Sequence, residues 1–208
     1  MRFVMVFIVA AFGQAAAAQT TPGCNPTQTA IARAALDDAK SLTIKAAAAV
    51  GDTGDYARWF GDYTPQNAEI LRANLKAIAT AIRTGAVVMQ CQSSRDADCS
   101  AGEFAWAYPH EPYRVYLCPP FFTLPHLSSL RPQTQAGDLG TREGTLVHEI
   151  SHFNPVARTH DHCYSRRECS AMAQRDPARA IENADSYQYF VEDVTYSARQ
   201  PVAGKADR

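Results

Sequence analysis

Residues 144–152 read GTLVHEISH, and the pair His148 and His152, four apart around Glu149, constrains the fold more than any other feature of the chain. On a helix, residues four apart are offset by about 40° and about 6 Å along the axis, so both imidazoles face one way. Two such nitrogens can hold one Zn²⁺ at about 2.0–2.1 Å, with Glu149 close enough to touch a water on the ion. Leu146, Val147, Ile150 and Phe153 make the other faces apolar. The helix must therefore be half buried. Another part of the chain must return to it, because a catalytic zinc takes three protein ligands and leaves one position open.

The residues leave several choices for that third ligand. One class of zinc peptidase places a histidine six after the second motif histidine, but Arg158 stands there, and Pro155 occupies the usual glycine position. Another class uses a glutamate from a later helix, for which Glu168 and Glu182 are available. His160, Asp161 and His162 follow soon after the helix ends near Asn154-Pro155. In an extended segment the neighbours of Asp161 point away from it, so one face presents Asp161 and the other both histidines.

The elements around the motif suggest an α+β order of helices, strands, then helices. Residues 25–51 are alanine-rich, with Asn25 or Thr27 as cap and Gly51 past the end. Residues 62–85 form a better-marked helix, with Thr64 as N-cap, Pro65 at the first position and Gly85 at the stop. Ile70, Leu71, Leu75, Ile78 and Ile82 give it one apolar stripe. Strand-like runs follow at 86–91, 103–109 and 113–119, suited to a small sheet with hairpins. Residues 119–140 read as a long ordered loop, and a last helix is expected from Asp176-Pro177 through Ala198. Residues 200–208 read as a frayed tail.

The N-terminus, MRFVMVFIVAAFGQAAAAQ, has Arg2, a short apolar run and small residues, the layout of a signal peptide cut after Ala18. Residues 19–208 then form a single exported domain. The apolar run is too short to span a bilayer, so no stable membrane association is expected. Twenty basic and 21 acidic residues give a net charge of −1, which offers no electrostatic footprint for nucleic acid. Six cysteines with no C-x-x-C pair point to three disulfides rather than a cysteine metal site.

The motif and the segment THDHCYS after it resemble the aspzincins, the family of deuterolysin and the peptidyl-Lys metalloendopeptidases. There, H-E-x-x-H is followed by an aspartate ligand in a G-T-x-D-x-x-Y-G segment. Asp161 lies nine residues after His152, and Tyr164 follows it by three. The two glycines of that pattern are replaced by Arg158 and Ser165. ARWFGDY (57–63) and NADSYQYF (183–190) resemble further segments of the family.

The resemblance implies a zincin-type α+β fold and one zinc per chain, held by His148, His152 and Asp161. It implies Glu149 as general base toward the activated water and Tyr164 as donor to the developing oxyanion. It implies an endopeptidase acting on proteins or peptides; with the signal-peptide pattern, a monomer secreted to the periplasm or outside is expected. Asp185 and Gln188 take the places of an acidic pair that binds a P1′ lysine, so a preference for Lys or Arg is expected, relaxed by the glutamine. Pairings Cys24–Cys91, Cys99–Cys118 and Cys163–Cys169 follow from the same likeness. Two other readings compete: a gluzincin-type endopeptidase with Glu168 or Glu182 as ligand, and a secreted non-catalytic protein with a structural zinc.

Overall fold

A computed structural model describes residues 21–129 and 138–197. The signal-peptide segment and the C-terminal tail lie outside the described residues, as does part of the 119–140 loop.

Helix α1 (Pro26–Ala49) starts on a reciprocal cap: Asn25 accepts from the Gln28 backbone while the Gln28 side chain accepts from that of Asn25. Its buried face is mostly alanine with Leu36 and Leu42, so its backbone approaches neighbours closely. Across it lies α3 (Pro65–Arg83), capped by Thr64, which buries Leu71, Leu75, Ile78 and Ile82. Ile70, counted with that stripe in the sequence, is 40% exposed, because it lies about 100° round the helix from Leu71. Gly85 closes α3 at φ 70°, a left-handed position.

Between these two in the chain comes α2 (Gly54–Phe60), a seven-residue helix not anticipated from the sequence. It buries Tyr56, Trp59 and Phe60, and Phe60 meets Tyr187 and Phe190 edge-on. Tertiary burial of three aromatics sustains a helix too short to persist alone.

The sheet has three strands in the order β1-β3-β2: β1 (Val88–Cys91), β2 (Ala105–Ala107) and β3 (Arg114–Leu117). β2 and β3 form the antiparallel pair, while β1 runs parallel to β3. A four-residue helix, α4 (Ala97–Ser100), lies between β1 and β2. Two 3₁₀ turns, Pro119–Thr123 and Leu127–Ser129, interrupt the expected loop.

The motif helix, α5 (Arg142–Ser151), is capped by Thr141 and buried from Glu143 to Ser151. It is followed by α6 (Arg166–Arg175), also not anticipated, then α7 (Pro177–Ala180) and α8 (Ala184–Ser197). The single last helix expected from Asp176 is thus two. The break at 181–183 has a cause: Glu182 O accepts from His160 N at 2.7 Å, and Ala184 N donates to His160 O at 3.0 Å. These bonds draw the chain out of the helix to hold the segment after α5. α8 lies directly on α5: a Cβ on Gly144 would run into the Glu192 and Gln188 side chains, so glycine there permits the close approach.

Arg166 fastens this layer. It pairs with Asp193 and Glu192, each at 2.6 Å, and stacks over Tyr189 at 4.6 Å. Glu192 in turn accepts from the Thr141 backbone and hydroxyl, fixing the start of α5. The disulfides are Cys24–Cys91, Cys99–Cys118 and Cys163–Cys169.

Candidate metal centre and active site

α5 presents His148 and His152 with ring centroids 4.8 Å apart. Asp161 Oδ1 lies 3.2 Å from His148 Nε2 and 3.4 Å from His152 Nε2. Zinc ligands arranged tetrahedrally at about 2.0–2.1 Å would stand about 3.3–3.4 Å apart, so the three groups have the spacing of a zinc site. Both histidines are buried, while the Asp161 side chain is 35% exposed and marks the open side.

The outer ring nitrogens are held as a ligand pair needs. His148 Nδ1 donates to Asp185 Oδ1 at 2.7 Å, and His152 Nδ1 donates to the Thr159 carbonyl at 2.9 Å. Each bond leaves Nε2 facing the cluster and fixes the ring plane. Burial disfavours charge on His148, yet the carboxylates of Asp161 and Asp185 outweigh it and raise its pKa well above the usual value. The site wants a cation between these groups. The buried histidine pair, the facing carboxylate and the satisfied outer nitrogens together fit Zn²⁺.

How Asp161 reaches this place is a matter of backbone. Thr159 N donates to Ser151 O at 3.2 Å, the parallel bridge to Asn183 pins His160, and Asn183 Oδ1 accepts from both His162 N and Cys163 N. Asn183, fully buried, is the organiser of the ligand segment; in the sequence it stands out only within the stretch that resembles the family. His160 and His162 do not join the ligand group among the described residues; His162 Nδ1 instead meets Arg179 at 3.1 Å. Nor do Glu168 and Glu182, both exposed.

Arg158 has φ 54°, and Ser165 has φ 70° with ψ 150°, an extended positive-φ conformation that glycine favours strongly. The turn geometry that glycine would provide is kept by residues that bear a Cβ, at a cost of about 1–3 kcal/mol each. Local bonds offset it: Arg158 Nε donates to Asn154 O at 2.7 Å, and Ser165 N donates to Asp185 Oδ2 at 3.1 Å. The Cys163–Cys169 bridge flanks the second position. Arg158→Gly is therefore expected to raise Tm by roughly 2–4 °C, read by calorimetry, since the guanidinium bond it forfeits is exposed. A lowered Tm would show that this bond outweighs the backbone cost.

Glu149 is 5% exposed beside the cluster. Burial lifts its carboxyl to about 7, against the pull of His148, with Asp161, Glu103 and Asp185 adding to the rise. A carboxyl poised there can both take and give a proton near neutrality. Tyr164 projects at the mouth, 59% exposed, with its hydroxyl toward the Asp161 carboxylate. Partial burial and the nearby carboxylates push its pKa up to about 12, so it remains a donor at working pH.

Two clefts, about 280 and 310 Å³, meet over His148, Glu149 and Tyr164. β2 passes along both, and its outer edge carries no partner strand among the described residues. One cleft is floored by Thr145, Asp185, Gln188 and Tyr189; the other reaches Trp106, Tyr108 and His152. A separate cavity of about 650 Å³ lies between α1 and α3 and is lined by no carboxylate, histidine or cysteine. Asp185 and Gln188 thus line one cleft, but both Asp185 oxygens are already engaged, by His148 and Ser165. Glu103 and Asp138, acidic residues at the rim of that cleft, had not been singled out in the sequence.

Residues 45–192 match the aspzincin M35 family, described as lysine-specific metallo-endopeptidase. The chain belongs to the aspzincin family. Among aspzincin-like relatives, an extracellular protease of Aeromonas hydrophila is 33% identical over 175 residues, covering 82% of this chain and 46% of the relative. A peptidyl-Lys metalloendopeptidase of Pleurotus ostreatus is 28% identical over 84% of this chain and 96% of its own length. A solved structure, the zinc peptidase from Grifola frondosa, superposes with a TM-score of 0.70 at 26% identity, covering 86% of this chain and all of that one. Its likeness shows the helix-rich fold with a small sheet. Several relatives are much longer proteins, of which this chain spans 46%, 36% and 47%.

Proposed function

We propose that this aspzincin is an exported zinc endopeptidase that cleaves peptide bonds on the amino side of lysine. The observation that carries the reading is the buried Glu149 beside the His148, His152 and Asp161 cluster, at the meeting of two clefts along an unpaired strand edge. An extended substrate adds to such an edge through backbone hydrogen bonds, which lays its scissile carbonyl over the cluster. Zinc held there supplies Lewis acidity that acidifies water and polarises the carbonyl. Glu149 takes the proton of the attacking water on its carboxylate and passes it to the departing amine. Its raised pKa suits both transfers. Tyr164, still protonated, turns from Asp161 to donate to the oxygen on which charge develops. All these groups come from one chain, so a monomer suffices.

Export is supported by the signal-peptide pattern, the three disulfides and the relative named an extracellular protease. No helix among the described residues is long and apolar enough to cross a membrane.

The relatives named peptidyl-Lys metalloendopeptidases and the acidic cleft support lysine at P1′. Its ammonium would meet Asp185 at the floor, with Glu103 and Asp138 at the rim and Gln188 as a neutral neighbour. Because Asp185 also orients His148, Asp185→Asn is expected to do two separable things. Zinc affinity falls about 10–100-fold, and at saturating zinc the lysine preference narrows. Cleavage of a peptide library, with casein plus and minus chelator as the activity control, checks both. A wild-type library profile with no enrichment of basic P1′ residues sinks the specificity. Absent casein hydrolysis with zinc bound leaves the zinc-containing binder, and chelator-insensitive hydrolysis sinks the zinc mechanism.

A further inference from the structure

The catalytic group is not the only place where histidine and carboxylates converge. Asp38 on α1, His126 before the second 3₁₀ turn and Glu143 in the first turn of α5 bring one ligand atom each within 4.8 Å of one another. His126 Nε2 is 3.0 Å from Asp38 Oδ2 and 3.1 Å from Glu143 Oε1. Those separations are slightly shorter than those of the His148, His152 and Asp161 group, so ligands about 2.1 Å from a shared ion would spread by a few tenths of an ångström.

Glu143 gives the cluster its meaning. The residue is fully buried, and only its Oε2 has a hydrogen bond, from Leu127 N at 3.0 Å. Oε1 has no hydrogen-bond donor among the described residues and points at His126. A buried carboxylate oxygen with no donor is costly unless a cation meets it. Asp38 is half exposed, which leaves a path for an ion from solvent.

We propose that Asp38, His126 and Glu143 form a second divalent-metal site of zinc type that staples α1, the 3₁₀ segment and the start of α5. One imidazole nitrogen with two carboxylates suits Zn²⁺ better than Ca²⁺ or Mg²⁺, which take oxygen ligands. Two carboxylates also neutralise the ion. For Nε2 to offer its lone pair, the ring proton must sit on Nδ1, and Ser128 Oγ at 2.8 Å is placed to accept it. The other tautomer is served as well, by Ser128 N donating to Nδ1 at 2.9 Å and Nε2 donating to Asp38. The second tautomer is the one the Ser128 backbone favours, so metal binding must move the ring proton to Nδ1 and turn Ser128 N away from it. Glu143 is five residues before His148, about 7.5 Å along α5 and on another face, so the two sites do not share a ligand. The one zinc expected from the sequence counts only the H-E-x-x-H cluster.

The test is metal stoichiometry in the full processed chain, stripped and then equilibrated with buffered micromolar Zn²⁺, gel-filtered and measured by mass spectrometry. The wild type is expected to hold two ions. Asp38→Asn and His126→Gln are expected to hold one, with casein hydrolysis retained and affinity for the second ion at least about tenfold weaker. Asp38→Asn changes a half-exposed side chain, so it guards against loss of the fold. A single ion in the wild type overturns the proposal and makes the cluster a metal-free hydrogen-bonded latch. Two ions in wild type and both variants alike place the second one elsewhere and overturn it too.

Discussion

Glu149→Gln is expected to lower kcat/KM on casein or a lysine-containing peptide by about 10²–10⁴-fold while zinc remains bound. The amide keeps the shape of the carboxyl but cannot take a proton from water or pass one to the amine. Glu149 sits beside the ligands without being one of them, so the metal cluster should be untouched. Substrate binding depends on the clefts and the β2 edge, so the loss should fall on kcat and leave KM near the wild-type value. Activity within tenfold of wild type at full zinc occupancy would remove Glu149 from the proton transfers. If wild type and variant are equally inert with zinc bound, the chain is a zinc-containing binder.

Asp161→Ala is the second large effect expected. It removes one of three ligands and leaves His148 and His152 to hold the ion alone. Changes in groups that merely orient ligands cost about 10–100-fold in metal affinity, so loss of a ligand should exceed that and abolish hydrolysis at ordinary zinc concentrations. The count is best made in an Asp38→Asn background, where only the catalytic cluster contributes. Retention of zinc at native stoichiometry would return the third-ligand role to Glu168 or Glu182. Their exposure and absence from the ligand group argue against that result. Burial, the main cause of the raised Tyr164 pKa, persists in this variant, so its titration should move down only in part from about 12 as the Asp161 charge is lost.

Helices with strong local signals were legible in the chain. Thr64-Pro65 and Gly85 bound α3, and Asn25 begins α1, because capping and backbone preference act within a few residues. α2 and α6 were not foreseen, for the same reason inverted. Seven residues of α2 carry little intrinsic helicity and owe their state to Tyr56, Trp59 and Phe60 in a distant core. The split of the last helix at 181–183 was equally hidden, since its cause is a pair of backbone bonds to His160, over twenty residues earlier. At the site, the ligand spacing could be read, whereas the double engagement of Asp185 by His148 and Ser165 could not.

The sequence by itself determined the chemistry available: a histidine pair and glutamate at helical spacing, an aspartate nine residues on, and six cysteines in a chain with an export pattern. Spacing along one helix is local geometry, and local geometry is written in the order of residues. Only the tertiary structure decided which carboxylate turns to the histidines, how Arg158 and Ser165 hold a turn without glycine, and that Asp38, His126 and Glu143 converge. Those outcomes depend on packing α8 against α5 and on hydrogen bonds between segments far apart in the chain. Such contacts have no fixed interval in sequence.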